Sequence, residues 1–276
     1  MLFISRYPTN VKSGGAAQHQ VLELTGQVSY SEGTVSHYVV GDIHGCLAEL
    51  THLLDALPLK AEDKLIFLGD YIDRGPDSKE VVSYLLERQD RANQEMIFLK
   101  GNHEDMLMAY LGLQGKHGDM FLFNGGWATL ASYGITGRNS DPNALLSRMP
   151  DSHLEFFKRL NIYHIIEPFL CVHGGIHPSK PLNEQIEEEM LWIRDEFIWN
   201  SHRLPYTVLF GHTPLQEVLF QLPYKIGLDT GLVYGNTLSC LETTEKVLYQ
   251  ITKGTKPVQR RSVKGRWEKL ESTPVP

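Results

Sequence analysis

Five short apolar runs in this chain each end in a glycine-flanked turn carrying Asp, Asn or His, and no other feature restricts the available folds as much. HYVV (37–40) leads into Gly41-Asp42-Ile43-His44-Gly45, and KLIFL (64–68) into Gly69-Asp70-Tyr71-Ile72-Asp73-Arg74-Gly75. EMIFL (95–99) leads through Lys100 into Gly101-Asn102-His103-Glu104, FLCV (169–172) into His173-Gly174-Gly175, and TVLF (207–210) into Gly211-His212-Thr213. Short runs rich in β-branched and aromatic residues read as buried strands. Between the first three lie stripes at helical spacing, Leu47, Leu50, Leu53, Leu54 and Leu57, then Val81, Val82, Leu85 and Leu86. These are packing faces, and the order β-α-β-α-β implies parallel strands covered by crossover helices. Further strands expected near 226–229, 237–241 and 246–250 are joined by short glycine-containing turns and read as antiparallel hairpins. The fold class is α/β, with a mixed sheet or a pair of stacked sheets.

In open α/β sheets, ligands bind at the carboxyl ends of strands, where all five turns fall. Taken singly the residues are unremarkable: Asp42 suits a helix cap, Asn102 a turn, His44 and His212 a partly buried strand end. Taken together they concentrate imidazole and carboxylate at one rim. Those donors suit borderline divalent metals, and with no thiolate among them a structural zinc cage is disfavoured. A carboxylate can bridge two ions, and Asp70, central in the order of candidates, is the natural bridge.

The flanks differ from this middle. Residues 1–34 are rich in Gly, Ser, Thr and Gln and read as an extension, 35–252 as the folded domain, and 253–276 as a basic, solvated tail with Lys253, Lys256, Arg260, Arg261, Lys264 and Arg266. Three scattered cysteines give no disulfide framework and suit a reducing compartment. No apolar run is long enough for a signal peptide or a membrane span, so the expectation is a soluble, cytoplasmic protein without a membrane partner. A formal net charge of −7 argues against nucleic acid as a partner.

GDIHG, GDYIDRG and GNHE, followed by HGG and GHT, resemble the metallophosphoesterases of the phosphoprotein phosphatase group, over roughly residues 37–241. Asn124-Gly125-Gly126 with Thr129-Leu130, Leu191-Trp192-Ile193-Arg194 and Leu228-Asp229-Thr230-Gly231 look like its bacterial branch, which holds serine/threonine protein phosphatases and symmetrical diadenosine tetraphosphatases. The resemblance implies two stacked mixed β-sheets flanked by helices, the calcineurin-like sandwich. It implies two divalent ions, manganese first with iron or zinc possible, one held by Asp42, His44 and Asp70, the other by Asp70, Asn102, His173 and His212. It implies His103 as general acid, Asp73 as the carboxylate that orients it, and Arg74 and Arg194 as a phosphate grip; Tyr234 is a candidate substrate-side hydroxyl. His177 is expected at the surface or behind the ligands, and Cys46 as a small packed residue at a helix start. The implied reaction is attack of a metal-bridging hydroxide on phosphorus without a phosphoenzyme. Asp73 and the closing Glu104 follow the protein-phosphatase pattern, so the expected substrate is a phosphoserine or phosphothreonine protein or a small phosphate ester. A symmetrical dinucleoside tetraphosphatase is the alternative, and a phosphodiesterase or a non-catalytic scaffold stands further off.

Overall fold

The computed structural model of the protein describes residues 35–137 and 141–271, so the extension expected at 1–34 lies outside the described residues. The chain opens as read: β1 (His37–Val40), α1 (Leu47–Ala56), β2 (Lys64–Phe67), α2 (Ser78–Arg91), β3 (Glu95–Phe98) and α3 (Asn102–Tyr110). The short helices α4 (Trp127–Ser132), α5 (Pro142–Leu146) and α6 (Asp151–Lys158) follow, then β4 (Tyr163–Ile166), β5 (Phe169–Val172), α7 (Glu187–Trp192), α8 (Asp195–Trp199) and β6 (Thr207–Phe210). The chain continues with β7 (Leu219–Gln221), β8 (Lys225–Gly227), β9 (Thr237–Glu242), β10 (Val247–Thr252), β11 (Val258–Ser262) and α9 (Gly265–Glu271).

Two mixed sheets result, one in the order β11-β10-β9-β1-β2-β3 and one in the order β4-β5-β6-β8-β7. In the first, β1 pairs parallel with β2 and β2 with β3, while β9 runs antiparallel to β1. Alternation along each strand explains the stacking. Val39, Ile66, Ile97 and Leu241 of the first sheet form one buried cluster with Phe169, Cys171, Leu209 and Ile226 of the second. The alternate residues on β1 and β2 face the other way: Val40 and Phe67 pack with Leu50 and Leu53 of α1 and Val81 and Leu85 of α2. On the far side of the second sheet, Leu170, Val208 and Phe210 pack with Met190 of α7 and Phe197 of α8. Each such buried aliphatic or aromatic side chain contributes roughly 1.5–3 kcal/mol of transfer free energy. The rim where β1, β2, β3, β5 and β6 end is therefore carried by the most buried part of the molecule.

Two expectations change. The strand near 226–229 is β8, which pairs parallel with β6 and antiparallel with β7 and forms no hairpin with β9. The Gly231 turn instead carries the chain from one sheet to the other, with an isolated bridge between Gly231 and Thr237. The basic stretch expected as a solvated tail contains β11, paired with β10 from Val247↔Ser262 to Ile251↔Val258. Its consecutive exposed Gln259, Arg260 and Arg261 are what a charged edge strand looks like, and with only Val258 partly buried the segment reads in sequence as mere solvation.

Candidate metal centre and phosphate site

The strand-end turns are tight enough to force unusual backbone. Among the described residues, His44, Asp70, Asp73, Arg74 and His212 all take positive φ, between 46° and 70°, without being glycine. Such conformations cost energy and persist where surrounding contacts hold them. Glycine at position 69 is required in the same region: its φ is 105° and a Cβ would lie 2.6 Å from the Gly101 nitrogen.

Glu104 supplies much of the holding. Its Oε1 accepts from the Tyr71 amide at 2.8 Å, and its Oε2 from the amides of Asp70 and Gly101 at 3.0 Å each, so one buried carboxylate ties the second turn to the third. Burial, reinforced by Asp70, pushes the Glu104 carboxyl up, and the amides of Tyr71 and Asp70 that donate to it work the other way, favouring the carboxylate. The sequence reading gave this residue no role beyond closing its motif; a lone acid three places into a helix-starting turn is the signal that could have found it.

The turns converge on Asp70. Nε2 of His44 lies 3.4 Å from Asp70 Oδ2, and Nε2 of His173 lies 3.4 Å from Asp70 Oδ1. Nδ1 of His44 is 2.8 Å from the Ile72 carbonyl oxygen and Nδ1 of His173 is 2.8 Å from that of Leu68. A carbonyl can only accept, so each Nδ1 carries the proton and each Nε2 turns a lone pair toward Asp70. This is the arrangement by which metal-ligating histidines are oriented. Asn102 Oδ1 sits 3.0 Å from His173 Nε2 and 2.9 Å from His212 Nδ1.

Two groups of donors meet the spacing needed to hold a cation, His44 with Asp70 and His103, and Asp70 with His173 and His212; the donor atoms within each lie within 4.8 Å of one another, and all are buried. Asp70 belongs to both, as a bridging carboxylate must. Asp42 is brought to the same place but is turned to the His212 amide, which donates to its two oxygens at 2.9 and 3.2 Å. His103 stands in the first donor group where the sequence reading had Asp42. The residues fit a pair of divalent ions on chemical grounds too. Burial, with Asp229 and Asp70 alongside, raises Asp42 well above the usual carboxylate range, and burial raises Asp229 to about 6. Burial works on Asp70 in the same sense, yet His173, His103 and His44 hold it below its ordinary value. Crowded buried carboxylates facing imidazoles that burial keeps neutral are a site short of positive charge. Asp229 is a second residue the sequence reading left without a role; it arrives on the turn that switches between sheets.

The remaining candidates surround this centre. His103 Nδ1 is 2.6 Å from Asp73 Oδ2, and the Thr129 hydroxyl donates to Asp73 Oδ1 at 2.5 Å. Arg74 bonds His44 Nε2 through Nη1, and its guanidinium lies 5.6 Å from the ring centroid of the exposed Tyr234. Arg194 donates from Nε to His212 Nε2 at 2.9 Å. Both arginines thus reach the two histidines at opposite ends of the donor cluster. His177 is half-buried away from the donor cluster, its Nε2 3.2 Å from Glu196 Oε1, and Cys46 is buried at the start of α1.

Comparison with known proteins agrees with this geometry. Residues 37–239 match the calcineurin-like phosphoesterase family. A bis(5'-nucleosyl)-tetraphosphatase (asymmetrical) of Bacillus thuringiensis is 24% identical over 232 residues, covering 75% of this chain and 90% of that one. The corresponding protein of Oceanobacillus iheyensis is 27% identical over 235 residues, covering 75% and 88%. Among solved structures, one provisionally described as a diadenosine tetraphosphatase superposes with a TM-score of 0.60 at 27% identity, covering 80% of this chain and 94% of the other. A cold-active protein-tyrosine phosphatase of Shewanella, with a TM-score of 0.53 at 16% identity and coverage of 83% and 80%, shares the fold. The chain belongs to the calcineurin-like phosphoesterases, a family of metal-dependent hydrolases that use two divalent ions.

Proposed function

We propose that this hydrolase acts on phosphomonoesters with alkoxide leaving groups, as on phosphoserine and phosphothreonine in proteins, with manganese as its metal and the cytoplasm as its compartment. The observation that carries the reading is the closed pair of His103 and Asp73, 2.6 Å apart beside Asp70. An alkoxide is a poor leaving group and needs a proton as the P–O bond breaks, which a histidine backed by a buried carboxylate supplies. When bound at Asp42, His44, Asp70, Asn102, His173 and His212, two divalent ions supply concentrated positive charge and an activated water. The chain's own groups do the rest. Arg74 and Arg194 grip phosphoryl oxygens in a forked geometry that lysine lacks, and Tyr234 bounds the entrance above Arg74. His103 delivers its proton to the departing oxygen, while Asp73, fixed by Thr129, stabilises the imidazolium.

The tetraphosphatase relatives that span most of their own length with this chain favour a second reading, a dinucleoside polyphosphate substrate. A nucleotide leaves as a phosphate anion and makes little demand on a general acid. Rates for the manganese-loaded protein on a phosphoserine peptide, p-nitrophenyl phosphate and diadenosine tetraphosphate separate the two. Faster turnover of the dinucleotide than of both esters, with little loss in His103→Asn, sinks the phosphomonoesterase reading.

A further inference from the structure

Arg194 reaches the metal centre from the N-cap of α8, and five residues of helix do not hold their own geometry in water. The amides of Phe197 and Ile198 donate to the Arg194 carbonyl at 2.9 and 2.8 Å, which ties the arginine's backbone to the helix it heads. What fixes the other end is Lys225. This lysine opens β8, one strand in from the edge of the second sheet and beside Val208 on its outer face, and its side chain is closed to solvent. Its Nζ donates to the carbonyl oxygens of Phe197, of Ile198 at 3.3 Å and of Asn200 at 2.7 Å, and lies 4.2 Å from the Phe197 ring centroid.

A buried ammonium in a sheet of valine, leucine and phenylalanine needs a reason. Helix C-terminal carbonyls have no donors of their own and attract positive charge, and here three of them, that of the buried Phe197 among them, converge on one cation. A methionine of similar volume would fill the space and leave all three without a donor. The same ring that Nζ faces is wedged against Gly175, where a Cβ would stand 2.3 Å from Phe197 Cδ1, two residues beyond His173. The segment from Lys225 through Phe197 to Arg194 therefore touches the candidate metal ligands at His212 and packs on the backbone two residues from His173.

We propose that Lys225 is a positioning residue for phosphate recognition: by clamping the C-terminal end of α8 it sets the reach of the Arg194 guanidinium toward substrate. The inference rests on the assignment of phosphate binding to Arg194 made above. It predicts that Lys225 acts on phosphate through Arg194 and leaves metal binding alone.

The test uses the full chain loaded with manganese and compares wild type, Lys225→Met, Lys225→Gln, Arg194→Ala and the Lys225→Met/Arg194→Ala double variant. Readouts are KM for p-nitrophenyl phosphate, the inhibition constant for inorganic phosphate, manganese content and Tm. Lys225→Met is expected to weaken phosphate inhibition about tenfold with two equivalents of manganese retained. In the Arg194→Ala background the same substitution is expected to change it less than twofold, the non-additivity of residues acting through one another. Lys225→Gln keeps an N–H donor for the carbonyls and is expected to fall between, which carries the test if the methionine variant does not fold. Unchanged phosphate inhibition in whichever Lys225 variant folds, or a full effect in the Arg194→Ala background, overturns the proposal. Wild type that neither hydrolyses p-nitrophenyl phosphate nor binds phosphate removes the proposed function, and this assignment with it.

Discussion

Nδ1 of His103 lies 2.6 Å from Oδ2 of Asp73, and both side chains are sealed from solvent. The carboxylate oxygen accepts, so Nδ1 carries a proton and Nε2, 3.9 Å from Asp70 Oδ2, is the nitrogen that faces the site. A group placed to protonate a leaving oxygen should matter in proportion to the basicity of that oxygen. His103→Asn is expected to lower kcat on a phosphoserine peptide by about 10²–10⁴. On p-nitrophenyl phosphate, whose leaving group departs readily as an anion, the loss should be much smaller. Equal losses on the two substrates would show that His103 serves metal or substrate binding and not proton transfer.

Glu104 is a structural linchpin with no chemistry of its own. Replacing it by Gln turns an amide NH₂ toward either the Tyr71 amide or the amides of Asp70 and Gly101, leaving at least one buried N–H without an acceptor. Each orphaned buried donor costs about 1–3 kcal/mol, so a loss of roughly 2–4 kcal/mol is expected. For a domain of this size that is on the order of 5–10 °C in Tm. A thermal melt of Glu104→Gln within a degree or two of wild type would show that the carboxylate is dispensable.

The sequence made the strand-end turns and both core-facing stripes legible because period and punctuation are local properties. Val39 and Val40 alternate between two cores as a strand must, and Leu50, Leu53 and Leu54 fall on the buried face of α1. The convergence of His44, Asp70, Asn102, His173 and His212 was readable from motif order alone. Three things were not. Asp229 reaches the site through a change of sheet, a long-range event that a short glycine turn does not announce. Thr129, flagged only as a flanking feature, touches Asp73 across 56 positions of chain. Lys225 looks in sequence like any charged residue on an edge strand, and only the placement of α8 over it makes it a buried cation.

Asp70 belongs to both donor groups, whereas His173 belongs to one. His173→Ala is accordingly expected to lower bound manganese from two equivalents to about one in the purified, dialysed protein, while Asp70→Asn should lose both. Because an ion that binds only the folded chain stabilises it by about 2.7 kcal/mol at a hundredfold excess over Kd, adding manganese should raise the wild-type Tm by several degrees. The rise should shrink in His173→Ala and vanish in Asp70→Asn. Metal content by mass spectrometry read beside the melts decides it; two equivalents retained in Asp70→Asn would exclude a bridging role.

Far from this centre, His153 of α6 is buried against α2 and α4, its Nε2 3.1 Å from the Ser83 hydroxyl and its Nδ1 2.7 Å from that of Tyr133. Burial, helped slightly by Lys79, lowers its imidazole to about 4. The unfolded chain, with an ordinary histidine, binds a proton between pH 6.5 and 4 that the fold excludes, so stability rises with pH across that window and is lost on acidification. At pH 4.5 this one group should cost roughly 2 kcal/mol relative to pH 7. Glutamine offers the same two hydroxyls a donor and an acceptor and does not titrate. His153→Gln should therefore lose less stability than wild type between pH 7 and 4.5, by about that amount in urea titrations. Parallel losses in the two proteins would mean that His153 is protonated in the fold and that acid lability arises among the carboxylates of the metal centre.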